Sequence, residues 1–175
     1  MNYSEIDKIE CVNGPGWGVS LFTHGCPLKC KGCHNSSIWD FDGGKEFTKK
    51  TIKKIQELIK PDYISRFSIL GGEPLYPKNY FPLALLINAI RHTKPDIIII
   101  LYTGYKLSEI DYKDDVYLKY ILSHIDYLID GRYEEDKRDI TLSFRGSSNQ
   151  VIWNMKNYPK EAINVSEEWD NGIYK

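Results

Sequence analysis

The sequence predicts an α/β protein built on a parallel sheet, and three observations predict it. Three short runs, FSIL (residues 67–70), IIIILY (97–102) and YLID (127–130), are solidly apolar, without alternation. That pattern suits strands buried on both faces. Stretches with apolar residues at helical spacing separate them, so strand and helix alternate as in βαβ units. Finally, the strand candidates end in THGC, GGEP, YTGY and DGRY. Polar or glycine-rich endings of this kind gather at the carboxyl edge of a parallel sheet, where ligands bind.

Taken in order, the first strand is WGVSLFTH (17–24), entered through the GPG of Gly14, Pro15 and Gly16. No element is assigned to the opening MNYSEIDKIE. Residues 48–60 form a helix, with Thr48 as its cap and Pro61 as its stop. Apolar Ile52, Ile55, Leu58 and Ile59 mark its inner face, and its lysines read as a solvated one. FSIL follows, broken at Gly71 and Gly72. PLALLINAIRH (82–92) is a second helix, with Pro82 acceptable in its first turn. IIIILY is the next strand, residues 116–124 a third helix and YLID a further strand. A late strand runs through QVIW (150–153).

The 175 residues suffice for one domain with a core, expected to span 1–175. A net charge of −1 gives no field that would recruit nucleic acid or anionic lipid. The longest apolar run falls far short of the ~20 residues that span a membrane. The N-terminus carries acids and lacks the basic start of a signal peptide. A cytoplasmic location follows as the default. In that reducing compartment, clustered thiols are metal ligands or catalytic groups sooner than a disulfide.

Such a cluster is present: GCPLKCKGCHN places Cys26, Cys30 and Cys33 within eight positions, with Cys11 well upstream. Three readings compete. A structural zinc site normally closes with four ligands, and Cys11 or His34 would supply the fourth. A ferredoxin-type centre also takes four cysteines, again drawing on Cys11. In the third, a [4Fe-4S] cluster rests on three thiolates and keeps one iron open. GGEP favours this last reading. Gly71 and Gly72 let backbone approach a ligand closely, and Glu73 offers an acceptor for an amine; a zinc staple needs neither. Cys11 reads as a buried small side chain.

C-x-x-x-C-x-x-C followed by a strand-ending GGEP resembles the radical S-adenosylmethionine superfamily. GPGWGVSLFTHGCPLKCKGCHN, YTGY, DGRYEEDKRD and RGSSNQ together are similar to the activating proteins of the anaerobic class of ribonucleotide reductase. These blocks run in order from Asn13 to Gln150. The resemblance implies a partial (β/α) barrel of the radical SAM type. It implies that Cys26, Cys30 and Cys33 each ligate one iron, and that S-adenosyl-L-methionine chelates the fourth. It places Gly71, Gly72, Glu73 and Pro74 along the methionine amine and Gly32, Cys33 and His34 near adenosine. Thr103, Asp130 and Arg132 become candidates for ribose hydroxyls or the carboxylate; an ion pair of Arg132 with Glu134 or Asp136 is the alternative. An external one-electron donor such as flavodoxin would reduce the cluster. A 5′-deoxyadenosyl radical would then oxidise a glycine in the reductase large subunit to a glycyl radical. The implied partners are that subunit and the donor. Gly32 departs from the superfamily, where an aromatic residue often precedes the third cysteine; His34 is the expected substitute against adenine. A radical enzyme acting on a small molecule is the neighbouring alternative.

Overall fold

A computed structural model describes residues 1–112 and 114–172. Its frame is one open sheet of eight strands in the order β3-β1-β2-β4-β5-β6-β7-β8. The strands are β1 (Asn2–Glu10), β2 (Gly18–His24), β3 (Lys45–Glu46), β4 (Arg66–Gly71), β5 (Ile98–Tyr102), β6 (Tyr127–Asp130), β7 (Val151–Asn154) and β8 (Ile163–Asn164). The helices are α1 (Lys49–Ile59), α2 (Tyr80–Thr93), α3 (Val116–His124) and α4 (Ser166–Asp170).

The expected parallel block is present: β2, β4, β5 and β6 pair in parallel, joined through α1, α2 and α3. The sheet as a whole is mixed, however, because β1 and β7 flank that block antiparallel. Both flanks lack clean alternation. In β1 the register slips between Tyr3 and Glu5 and again between Asp7 and Glu10. An extra residue moves every following side chain to the other face, so MNYSEIDKIE gives no period-2 signal. Residues 163–164 and 166–170 are too short for a periodic signature.

The two sheet faces are buried differently. Val19, Leu21, Phe67, Ile69, Ile99, Leu101 and Leu128 point toward the helices and meet Ile55, Leu83, Ile87 and Ile121 in the main core. Ile100, Tyr127, Ile129 and Ile152 point the other way, under Val165 and Trp169 of the C-terminal segment. Three helices thus cover one face and a short tail closes part of the other.

Local chemistry sets the helix ends. Before α1, the Thr48 amide donates to Thr51 Oγ1 at 3.1 Å. Before α3, Asp115 accepts from the amides of Tyr117 and Leu118, both at 2.9 Å, which satisfies donors the first turn leaves open.

At the amino end of the parallel strands, Arg66 is fully buried against Glu10 at 2.8 Å. It also donates to the carbonyls of Glu10, Asn13 and Pro15 and to Ser68. Burial by itself would raise the Glu10 pKa, but bonds from Arg66 and Ser20 outweigh it and hold the carboxyl below its usual range. GPGWG wraps this guanidinium, and a Cβ on Gly18 would lie 2.5 Å from its central carbon. Cys11 sits on the same loop and is exposed, not buried as expected: the loop's contacts go to Arg66 through backbone carbonyls, leaving side chains outward.

Candidate functional site

The opposite, carboxyl end of the sheet gathers the cysteine loop, GGEP, YTGY and DGRY. The loop leaves β2 at Gly25 and folds back on itself: the Gly25 amide donates to Ile38 O (2.9 Å) and the Cys26 amide to Trp39 O (3.0 Å). Between them the Cys33 amide closes a turn on Cys30 O at 3.2 Å. Adjacent β4 fixes the loop from the other side, with the Gly72 amide on Thr23 O and the Glu73 amide on Gly25 O, both at 2.9 Å. Both glycines are required by that approach. Gly71 has φ +104°, and a Cβ on Gly72 would sit 2.4 Å from Gly25 O.

Cys26, Cys30 and Cys33 line one cavity of about 160 Å³. Among the described residues, no three His, Cys, Asp or Glu side chains converge on a point as ligands of one ion do. The three thiols instead share the wall of one cavity. Cys11 lies at the other end of the sheet. Burial raises the Cys26 thiol pKa, against opposing pulls from the Leu28 and Lys29 amides. Burial and the neighbouring Cys33 raise that of Cys30, while the Tyr133 amide and the Arg132 guanidinium oppose them.

Glu73 is completely buried, and its acceptor bonds run inside the protein. One oxygen accepts from the Leu75 amide (2.9 Å) and Thr103 Oγ1 (2.7 Å), the other from the Gly104 amide (2.8 Å). Burial pushes its pKa up to about 7 in spite of these donors. The carboxyl thus ties the end of β4 to the end of β5, a role that the sequence left hidden. Its second oxygen retains one lone pair, and it borders the cavity.

The candidate residues divide. Cys26, Cys30, Cys33, Gly71, Gly72, Glu73 and Thr103 border the cavity. Pro74 is buried in the turn behind it. Gly32, His34 and Arg132 are exposed and do not form its wall. Nothing places His34 where an adenine-packing aromatic would stand in this conformation; it extends outward beside Cys33. Asp130 points to the other face of β6, where it accepts from the Leu107 amide at 2.6 Å; Ile129 faces the cavity instead. Arg132 does not bridge to Glu134, which pairs with Lys137 at 2.7 Å.

Asn35 does border the cavity, and its amide reaches Gly71 O at 3.4 Å. Of the other wall residues, Tyr102, Tyr133 and Gln150 fall within the YTGY, DGRY and RGSSNQ blocks, whereas Trp39 lies in none of the motifs. Trp39 comes from a loop, whose return to the cavity no periodicity reveals.

The 4Fe-4S single cluster domain family matches residues 12–153. The chain is 38 % identical over 160 residues to the anaerobic ribonucleoside-triphosphate reductase-activating protein of Pasteurella multocida, covering 90 % of this chain and 100 % of that one. The protein of the same name from Enterobacteria phage T4 is 38 % identical over 153 residues, 87 % of this chain and 94 % of its own. Its namesake from Escherichia coli K12 is 36 % identical over 158 residues, covering 89 % and 100 %.

Proposed function

The chain belongs to the anaerobic ribonucleoside-triphosphate reductase-activating proteins and carries their 4Fe-4S single cluster domain, and from this premise we propose how its site performs activation. It is an activating enzyme for an anaerobic ribonucleotide reductase. Cys26, Cys30 and Cys33 would hold a [4Fe-4S] cluster, with S-adenosyl-L-methionine as the cofactor bound beside it in the same cavity. When bound, the cluster, reduced by an external donor, would supply the one electron that splits the cofactor into methionine and a 5′-deoxyadenosyl radical, which would take hydrogen from a glycine α-carbon of the reductase large subunit.

The protein's share is placement. Gly71 and Gly72 bring backbone to the open side of the cysteine loop, where carbonyls accept from an amine. Glu73, through Thr103 and Gly104, keeps that backbone fixed relative to β5. A cofactor held against that fixed wall would be presented to the cluster in one orientation. Leu70, Tyr102 and Ile129 form an apolar floor that excludes water from the reacting centre. Thr103 is the candidate for a cofactor hydroxyl; Asp130 and Arg132 lie outside the cavity wall.

The open sheet reads as a partial (β/α) barrel of the radical SAM type, whose unclosed side admits a polypeptide. An external one-electron donor, such as flavodoxin, serves from the cytoplasm. The observation that carries the reading is the sharing of one cavity by three thiols while Cys11 lies at the far end of the sheet. Anaerobic reconstitution with iron and sulfide tests it. Cys11→Ser should keep four irons and a cluster EPR signal that changes on adding S-adenosyl-L-methionine. Cys30→Ser should lose both the cluster and 5′-deoxyadenosine release. Equal loss in the two variants would instead identify a four-cysteine electron carrier.

A further inference from the structure

Residues 131–150, between β6 and β7, contain the last three residues of DGRY and all of RGSSNQ, and the activation chemistry above uses neither directly. In space this segment crosses the cysteine loop. Lys31 Nζ pairs with Glu135 at 3.0 Å. A Cβ on Gly32, at φ +71°, would meet Glu135 at 2.9 Å and the Tyr133 ring at 3.3 Å. Tyr133 and Gln150 share the cavity wall with the three thiols. The Gly32 position therefore has no room for an aromatic side chain in this conformation, because the crossing segment occupies its place.

RGSSNQ holds that crossing in shape. Gln150 accepts from the Gly146 amide (2.8 Å) and the Ser147 amide (3.2 Å) and donates to Gly131 O (2.9 Å). Asn149 donates to Arg132 O at 2.8 Å. Ser147, fully buried, accepts from the Glu134 amide at 3.2 Å. Every residue of 131–134 except Tyr133 thus has its backbone tied to this block, and Tyr133 is left with its amide beside Cys30.

We propose that residues 131–150 form a strap over the cysteine loop, and that Gln150, Asn149 and Ser147 are positioning residues that set the exposure and hydrogen-bonding environment of the cluster. This rests on the cluster reading above. Cluster potential and durability respond to hydrogen bonds at sulfur and to solvent access, and outer partners of metal ligands commonly carry much of a site's affinity.

The test compares reconstituted wild type, Gln150→Ala and, as control, Lys53→Ala on exposed α1. Anaerobic iron release to a chelator and the cluster midpoint potential are measured without S-adenosyl-L-methionine. Gln150→Ala should release iron roughly tenfold faster, on the scale of outer-partner losses, with a shifted midpoint; Lys53→Ala should match wild type. Backbone amides of 131–136 should exchange more slowly once the cluster is loaded, in wild type only. Should Gln150→Ala not fold, Glu135→Lys should speed release about two- to fivefold, and adding Lys31→Glu should restore it, as an exposed pair allows. Wild-type release and potential in Gln150→Ala, or a charge swap that restores nothing, overturn the strap alone. A wild type that loads no four-iron cluster overturns both this and the reading beneath it.

Discussion

Glu73 shows how one residue can serve a site without being its ligand. Three donors hold its carboxyl between two strand ends, yet burial still pushes its pKa up to about 7, against 4.5 for the ordinary group. Folding therefore favours the protonated form. The stabilisation from this group is fully present below pH 4.5 and is lost as pH rises toward 7, by about 3 kcal/mol in all. Urea denaturation of the apoprotein from pH 4.5 to 8 should show wild type losing that much relative to Glu73→Gln, which does not ionise. A difference independent of pH would mean that Glu73 is ionised throughout.

At the scale of elements, the ends carry the information. Helix α1 has a strongly separated apolar face, so its existence follows from Ile52, Ile55, Leu58 and Ile59 alone. Its start depends on Thr51, whose hydroxyl accepts the Thr48 amide. Thr51→Ala removes that acceptor and should cost about 1 kcal/mol in chemical denaturation, leaving the iron content of reconstituted protein unchanged. A loss of iron would place Thr51 in the site's support as well. The bulged strand β1 is the counterexample, since its pairing with β2 is extensive although no alternation announces it.

Across the whole molecule, the two ends of the parallel strands have different duties. The amino end is a buried ion pair wrapped by GPGWG, and the carboxyl end holds the thiols. Arg66→Met would leave Glu10 buried without its partner, a change that costs about 3–5 kcal/mol. Urea midpoints should fall accordingly, while the variant reconstituted at low temperature keeps a wild-type cluster spectrum. A spectrum altered to the same degree would show that the ends are coupled.

Sequence alone determined the helical layer, the parallel strands, the cluster of three cysteines and the glycines beside it. All of these are fixed by neighbours in the chain: by apolar period, by thiol spacing, or by a turn that only glycine can make. Tertiary structure decided which side of the wall each remaining candidate occupies. YLID is apolar on both faces, so it carries no clue that Ile129 faces the cavity and Asp130 faces away; strand register settles that. Trp39 and Gln150 reach the cavity because loops distant in sequence return over the same strand ends, and the segment that follows β6 leaves no room for a side chain at Gly32.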